Sequence, residues 1–208
     1  MPAVSLHTRT LARPLPPLPE GGGPEAYLDI ETTGLSPDSA QITLVGLVYA
    51  DGAVRRLEQH FVDDPDDEAE VLREVARRLR AFGTTVTYNG ATFDLPFLRR
   101  RAEMLAVPWP WLETYDLLRV ARAWRQNHGQ LRDCRLQTVM AHFRLGRQDE
   151  TSGREMVEAY YKWLRTGIGS YRELILEHNA EDLLLLPDLI PCLTQPPQAS
   201  TRTRGAGS

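Results

Sequence analysis

Lysine is all but missing from this chain of 208 residues: Lys162 is its single representative, and arginine supplies the rest of the 24 basic side chains. Arginine enrichment in any one segment is therefore explained as readily by coding bias as by function. Cysteine is scarce as well. Cys134 and Cys192 have neither zinc-ligand spacing nor the density of a disulfide framework, and a reducing cytoplasm is the expected location. No segment approaches the roughly 20 apolar residues that a membrane helix needs. Prolines interrupt the N-terminal region where a secretory signal would need an unbroken apolar core. No membrane association is expected, and no nucleophile motif of the serine or cysteine type stands out.

What remains is ordinary for one soluble domain: 42% apolar and 25% charged residues, at a length that supports a substantial core. The net charge of −4 weighs against generic adhesion to nucleic acid, but its distribution is uneven. Residues 91–147 carry ten arginines against five acids, leaving 14 basic and 23 acidic residues elsewhere. A basic middle is the electrostatic footprint a phosphate backbone would use, and a merely solvated face is an equal rival.

Residues 1–24 hold six prolines and the run Gly21-Gly22-Gly23, a composition expected to form a flexible tail. The polar stretch 194–208 is expected to be a disordered tail, which places the folded unit at 25–193. Within it, residues 27–31 read as a strand. Residues 41–50 form a β-rich run closed by Asp51-Gly52, a hairpin turn signal, and 54–62 return. Residues 66–82 show helical spacing through Val71, Leu72, Val75, Ala76 and Leu79. A short strand at 84–88, a helix at 93–104 and a last strand at 111–115 follow, with mainly helix beyond Asp116. The pattern predicts an α/β fold with a mixed sheet flanked by helices.

Three separated motifs carry the chemistry. Asp29-Ile30-Glu31-Thr32-Thr33-Gly34 closes the first apolar strand, where alternation puts Asp29 and Glu31 on one face. Asn89-Gly90-Ala91-Thr92-Phe93-Asp94 follows the short strand. His178-Asn179-Ala180-Glu181-Asp182 lies in a leucine-rich helix, where residues four apart share a side. Four carboxylates and a histidine, if the fold converges them, are the components of divalent-metal phosphodiester hydrolysis.

The order and content of these motifs resemble the DnaQ-like 3′–5′ exonucleases of the ribonuclease H-like superfamily. More narrowly, Leu136-Gln137-Thr138, residues 160–167 and His178-Asn179-x-x-Asp182 are similar to the YprB-type ribonuclease H-like domains. The family's histidine subgroup spaces its histidine five residues before the aspartate. Here the interval is four, that of the tyrosine subgroup. The resemblance implies a five-stranded mixed sheet with one antiparallel strand, and two Mg²⁺ or Mn²⁺ ions. It also implies that Asp29 bridges both ions, that Glu31 and Asp182 complete the first shell, and that Asp94 holds the second ion. His178 would be the general base toward the attacking water, a task suited to imidazole near neutral pH. Thr32, Thr33, Gly34 and Asn89 would meet the substrate.

The expected activity is 3′–5′ exonucleolytic hydrolysis of nucleic acid, with single-stranded DNA favoured over RNA. A structure-selective endonuclease or ribonuclease, or a non-catalytic nucleic-acid-binding module, are the alternatives. Asp116 reads as a helix N-cap or as support behind the metal ligands, Trp109 and Trp111 as packing rather than base-stacking residues, and Glu181 and Asp188 as solvent-facing charges.

Overall fold

The structure, a computed structural model, describes residues 5–19, 23–146 and 151–194. Six strands build one sheet: β1 (Ser5–Leu11), β2 (Glu25–Thr32), β3 (Ile42–Asp51), β4 (Val54–Phe61), β5 (Thr84–Thr87) and β6 (Glu113–Asp116). Their spatial order is β1-β4-β3-β2-β5-β6. The hairpin signal at Asp51-Gly52 joins β3 to β4 in antiparallel register, with Gly52 at φ 60° in the left-handed region that this tight turn demands. Strands β2, β5 and β6 run parallel. Among these five strands β3 alone opposes the rest, as the resemblance implied.

The sixth strand corrects the expectation of a flexible tail over residues 1–24. Residues 5–11 pair antiparallel with β4 from Ser5 opposite Phe61 to Leu11 opposite Arg55. The prolines misled because they flank this segment rather than interrupt it. Ser-Leu-His-Thr-Arg-Thr-Leu contains no proline, and its threonines and leucines suit a pleated edge. Residues 1–4, 20–22 and the expected tail at 195–208 lie outside the described residues.

Seven α-helices cover the sheet: α1 (Glu68–Leu79), α2 (Asp94–Met104), α3 (Leu117–His128), α4 (Leu136–His142), α5 (Gly153–Thr166), α6 (Gly169–Leu185) and α7 (Leu189–Thr194). Alternation along β2 sorts the two layers. Ala26, Leu28 and Ile30 pack with Val71, Leu72 and Val75 of α1 and Leu95, Phe97 and Leu98 of α2. Tyr27 points the other way, among Leu117 and Trp124 of α3, Val139 of α4 and Leu183 of α6. Asp29 and Glu31 share this second face by the same alternation. The result is a three-layer α/β/α arrangement in which the charged end of β2 lies beneath α6.

Helix α6 crosses the sheet at Gly46, the residue opposite Asp29 on β3. A Cβ at Gly46 would stand 2.2 Å from Asn179 Oδ1 and 2.3 Å from Leu183 Cδ1. Only glycine lets the helix come this close, and that closeness carries His178 and Asp182 over the end of β2.

Candidate active site

One cleft of about 510 Å³ gathers Asp29, Glu31, Asp94, His178 and Asp182, with Thr32, Gly34 and Asn89 also on its walls. Three distant segments converge because β2, the turn after β5 and α6 meet at one end of the sheet. Thr33 does not line this cleft. Its hydroxyl accepts from the Gln41 N–H at 2.9 Å, and its own N–H donates to the Gln41 carbonyl, so it closes the turn after β2.

Each acidic group has a distinct setting. Asp29 is half-buried, and its Oδ2 accepts from Asn179 Nδ2 at 2.8 Å. Asn179 Oδ1 in turn accepts from Gln59 Nε2 at 3.0 Å, and the same nitrogen donates to the Leu176 carbonyl at 2.8 Å. A buried amide relay therefore runs from β4 through α6 to Asp29. Asp94 is 5% exposed, and its Oδ1 accepts from the Ile30 N–H at 3.1 Å. Burial pushes the Asp94 carboxyl up to about 7, against the pull of its own and the Ile30 backbone N–H groups.

His178 is buried. Its Nδ1 lies 3.0 Å from Thr151 Oγ1, and its Nε2 lies 3.8 Å from Glu31 Oε1. A hydroxyl thus orients one ring nitrogen while the other faces the Glu31 carboxylate. The geometry suits a proton acceptor held in a fixed direction.

Asp116 is the organiser of the second motif, in keeping with its reading as a cap. Its carboxylate accepts from the N–H groups of Asn89 at 2.9 Å, Ala91 at 3.0 Å and Leu118 at 2.9 Å. It therefore caps α3 and ties down the preceding turn at once. Asn89 sits at φ 71°, a left-handed conformation that asparagine tolerates better than most residues. Its Oδ1 accepts from Thr92 Oγ1 at 2.7 Å.

Three further readings are corrected. Asp188 is buried, with Oδ1 2.6 Å from Arg55 Nη2 and Oδ2 2.6 Å from Arg13 Nη1. It follows α6 in a tight turn that faces the sheet, so its charge is paired internally rather than solvated. Glu181 is half-buried rather than exposed. The tryptophans divide: Trp109 packs on the α1–α2 core, whereas Trp111 is 78% exposed.

Sequence reasoning missed Thr151, Gln59 and Gly46, which act on the site through other residues. It also missed Leu35, Tyr88, Arg154 and Val157 on the cleft wall. Asn179 had a visible signal, since it sits inside the third motif. Gln59 and Gly46 had none, because nothing local distinguishes a supporting strand residue.

Asp29, Glu31, Asp94 and Asp182 are hard oxygen donors of the kind that Mg²⁺ and Mn²⁺ prefer, and all four face one cleft. Among the described residues, no group of three or more histidine, cysteine or acidic side chains is already drawn together around an ion position. The donor chemistry fits a divalent cation.

A mixed sheet of this order, covered by helices and with carboxylates at the end of its central strand, defines an RNase H-like domain. The chain belongs to the RNase H superfamily, whose family model matches residues 26–194. Over 171 residues it is 28% identical to the uncharacterized protein YprB of Bacillus subtilis, covering 78% of this chain and 40% of that protein. Over 63 residues it is 36% identical to DNA polymerase 1 of Aeropyrum pernix, covering 30% of this chain and 6% of the polymerase. The chain thus spans less than half the length of either curated relative. In fold it resembles the family B DNA polymerase of Pyrobaculum calidifontis, with a TM-score of 0.61 at 16% identity over 90% of this chain and 28% of that one.

Proposed function

We propose that this protein is a metal-dependent 3′–5′ exonuclease acting on nucleic acid, with single-stranded DNA as the favoured substrate. The observation that carries this reading is the convergence of Asp29, Glu31, Asp94, Asp182 and His178 on one cleft. Asp29, Glu31 and Asp182 would hold one Mg²⁺ or Mn²⁺ ion, and Asp29 with Asp94 would hold a second. Bound ions supply Lewis acidity toward the scissile phosphate and the departing 3′-oxygen.

The chain's own residues do the rest. Nε2 of His178 takes the proton of the attacking water, with Thr151 fixing the ring from Nδ1. Asn179 holds one oxygen of Asp29 in place. Thr32, Gly34 and Asn89 line the space for the terminal nucleotide.

The test is digestion of 3′-labelled and internally labelled single-stranded DNA and RNA with Mg²⁺ or Mn²⁺, with and without excess EDTA. The expected result is mononucleotide release from the 3′ end from the first time point, faster on DNA, and abolished by the chelator. Internal fragments appearing first would indicate an endonuclease, and faster RNA loss a ribonuclease. Binding without cleavage would indicate a catalytically silent module, and undiminished cleavage in EDTA would overturn the metal mechanism.

A further inference from the structure

A second cleft, of about 540 Å³, adjoins the catalytic one and shares its Tyr88 and Asn89 wall. Arg122, Arg125 and Arg135 line it, and a further hollow of about 370 Å³ continues past Arg122 and Arg125 toward Gly129. The surrounding segment is unusually one-sided, with six arginines and a single acid, Asp133, between residues 117 and 146. That acid is engaged locally by Arg132 and by the Arg135 N–H.

Many arginines elsewhere in the molecule face carboxylates, among them Arg9 with Glu177, Arg55 with Asp188, Arg78 with Glu58 and Arg101 with Glu68. Among the described residues Arg122, Arg125 and Arg135 have no carboxylate partner. Arg125 is steered by its Nε donating to the Leu131 carbonyl at 3.0 Å. Like charges gathered without compensation around a concave surface raise the local concentration of an anion. Guanidinium groups match phosphate geometry.

We infer that this trough binds the phosphodiester backbone of a single nucleic-acid strand whose end lies in the catalytic cleft. The inference rests on the nuclease reading for the identity of the polyanion and deepens it by tracing the strand's path. The strand passes over the turn at Tyr88 and Asn89, the ridge common to both clefts. The Asp116 carboxylate fixes that ridge through the Asn89 and Ala91 N–H groups, so the two clefts keep a set register.

The test uses the full chain and its Arg122→Ala/Arg135→Ala variant, both positions being exposed. Arg125 is left intact because it braces the loop after α3. An Arg73→Ala/Arg77→Ala variant removes the same charge from α1, on the opposite layer. Binding of a fluorescent dodecathymidylate is read by anisotropy in EDTA, so that no cleavage intervenes. The trough variant should raise Kd on the order of tenfold at about 0.1 M salt. It should also flatten the slope of log K against log salt by about 1.4, at roughly 0.7 per single-strand phosphate contact released. The α1 variant should bind like the parent. Hydrolysis of thymidine 5′-monophosphate p-nitrophenyl ester with Mn²⁺, which reads the catalytic cleft alone, should be unchanged in both.

Equal Kd values for parent and trough variant, or an equal loss in the α1 variant, would overturn the trough, as would competition by inorganic phosphate as effective as that of the oligonucleotide. A parent chain that binds through the trough yet releases no nucleotide with either ion would overturn the nuclease reading and leave the trough standing.

Discussion

His178 touches two parts of the site at once, with Thr151 at Nδ1 and Glu31 beyond Nε2. Replacing it with alanine removes the proposed proton acceptor while leaving all four carboxylates, so turnover should fall about 10²–10⁴-fold with Mg²⁺ affinity by calorimetry little changed. A loss below about threefold would make His178 a structural residue. Asp29→Ala should instead abolish both activity and calorimetric metal binding, because it removes the proposed bridge. Asp188 makes a useful contrast, since it carries the same side chain but no share of the cleft. Asp188→Ala strands Arg55, which is 1% exposed, beside a lost counter-charge. Breaking such a pair typically costs about 3–5 kcal/mol. Urea denaturation should show that loss, while turnover per folded molecule holds. The hydrogen bonds from Arg55 to the Leu184 and Pro14 carbonyls remain to soften the effect.

At the scale of elements, the site is a matter of how closely α6 lies on β3. Gly46→Ala places a methyl where Asn179 and Leu183 now sit, so the helix must lift or tilt. Overpacking of this kind costs about 1–3 kcal/mol, and because α6 carries His178 and Asp182, activity should fall with it. Gly83→Ala is the control, having open space around the added carbon. Measured melting temperature and turnover should both drop for the first and hold for the second. This dependence also explains what the sequence could disclose. The first and third acidic motifs were legible because each pairs a chemical group with a local periodicity, two residues in a strand or four in a helix, whereas the second was legible only through its likeness to a family motif. Strands β2 to β6 were legible from their β-branched runs and one hairpin turn. The supporting residues were not, because Gln59 meets Asn179 across 120 positions of chain and no local pattern encodes that meeting. Asp188 was misread for a related reason: a charge in a leucine-rich segment looks solvated until the arginine on another strand is in view.

For the molecule as a whole, acid is the expected point of weakness. His60 on β4 is 5% exposed, and among the described residues neither ring nitrogen is hydrogen-bonded. Burial lowers its imidazole below the ordinary 6.5, with Glu58 and Glu74 opposing that shift and Arg77 and Arg78 adding to it. The unfolded chain therefore takes up a proton that the folded chain resists. The stability this represents is whole above about pH 6.5 and is lost as pH falls below it toward the folded-state value. Urea titrations between about pH 7.5 and about pH 5.5 should show unfolding free energy falling, by at most about 1.4 kcal/mol per pH unit for one such group. His60→Leu should flatten part of that slope, and an unaltered slope would place the acid sensitivity elsewhere. His7 is lowered in the same direction, also mainly by burial, and would account for a remainder. His60 stands opposite Leu6 on β1, and that strand has a consequence for solubility. Strand β6, at one margin of the sheet, is only four residues long, whereas β4 has eight and is shielded on its outer side by β1. A chain trimmed to begin at residue 25 would present the outer margin of β4 as an open row of N–H and C=O groups, a template for a second copy. Such a shortened protein should keep its carboxylate cleft and yet self-associate with rising concentration, which light scattering would register. Residues 5–11 would then be what keeps each copy solitary.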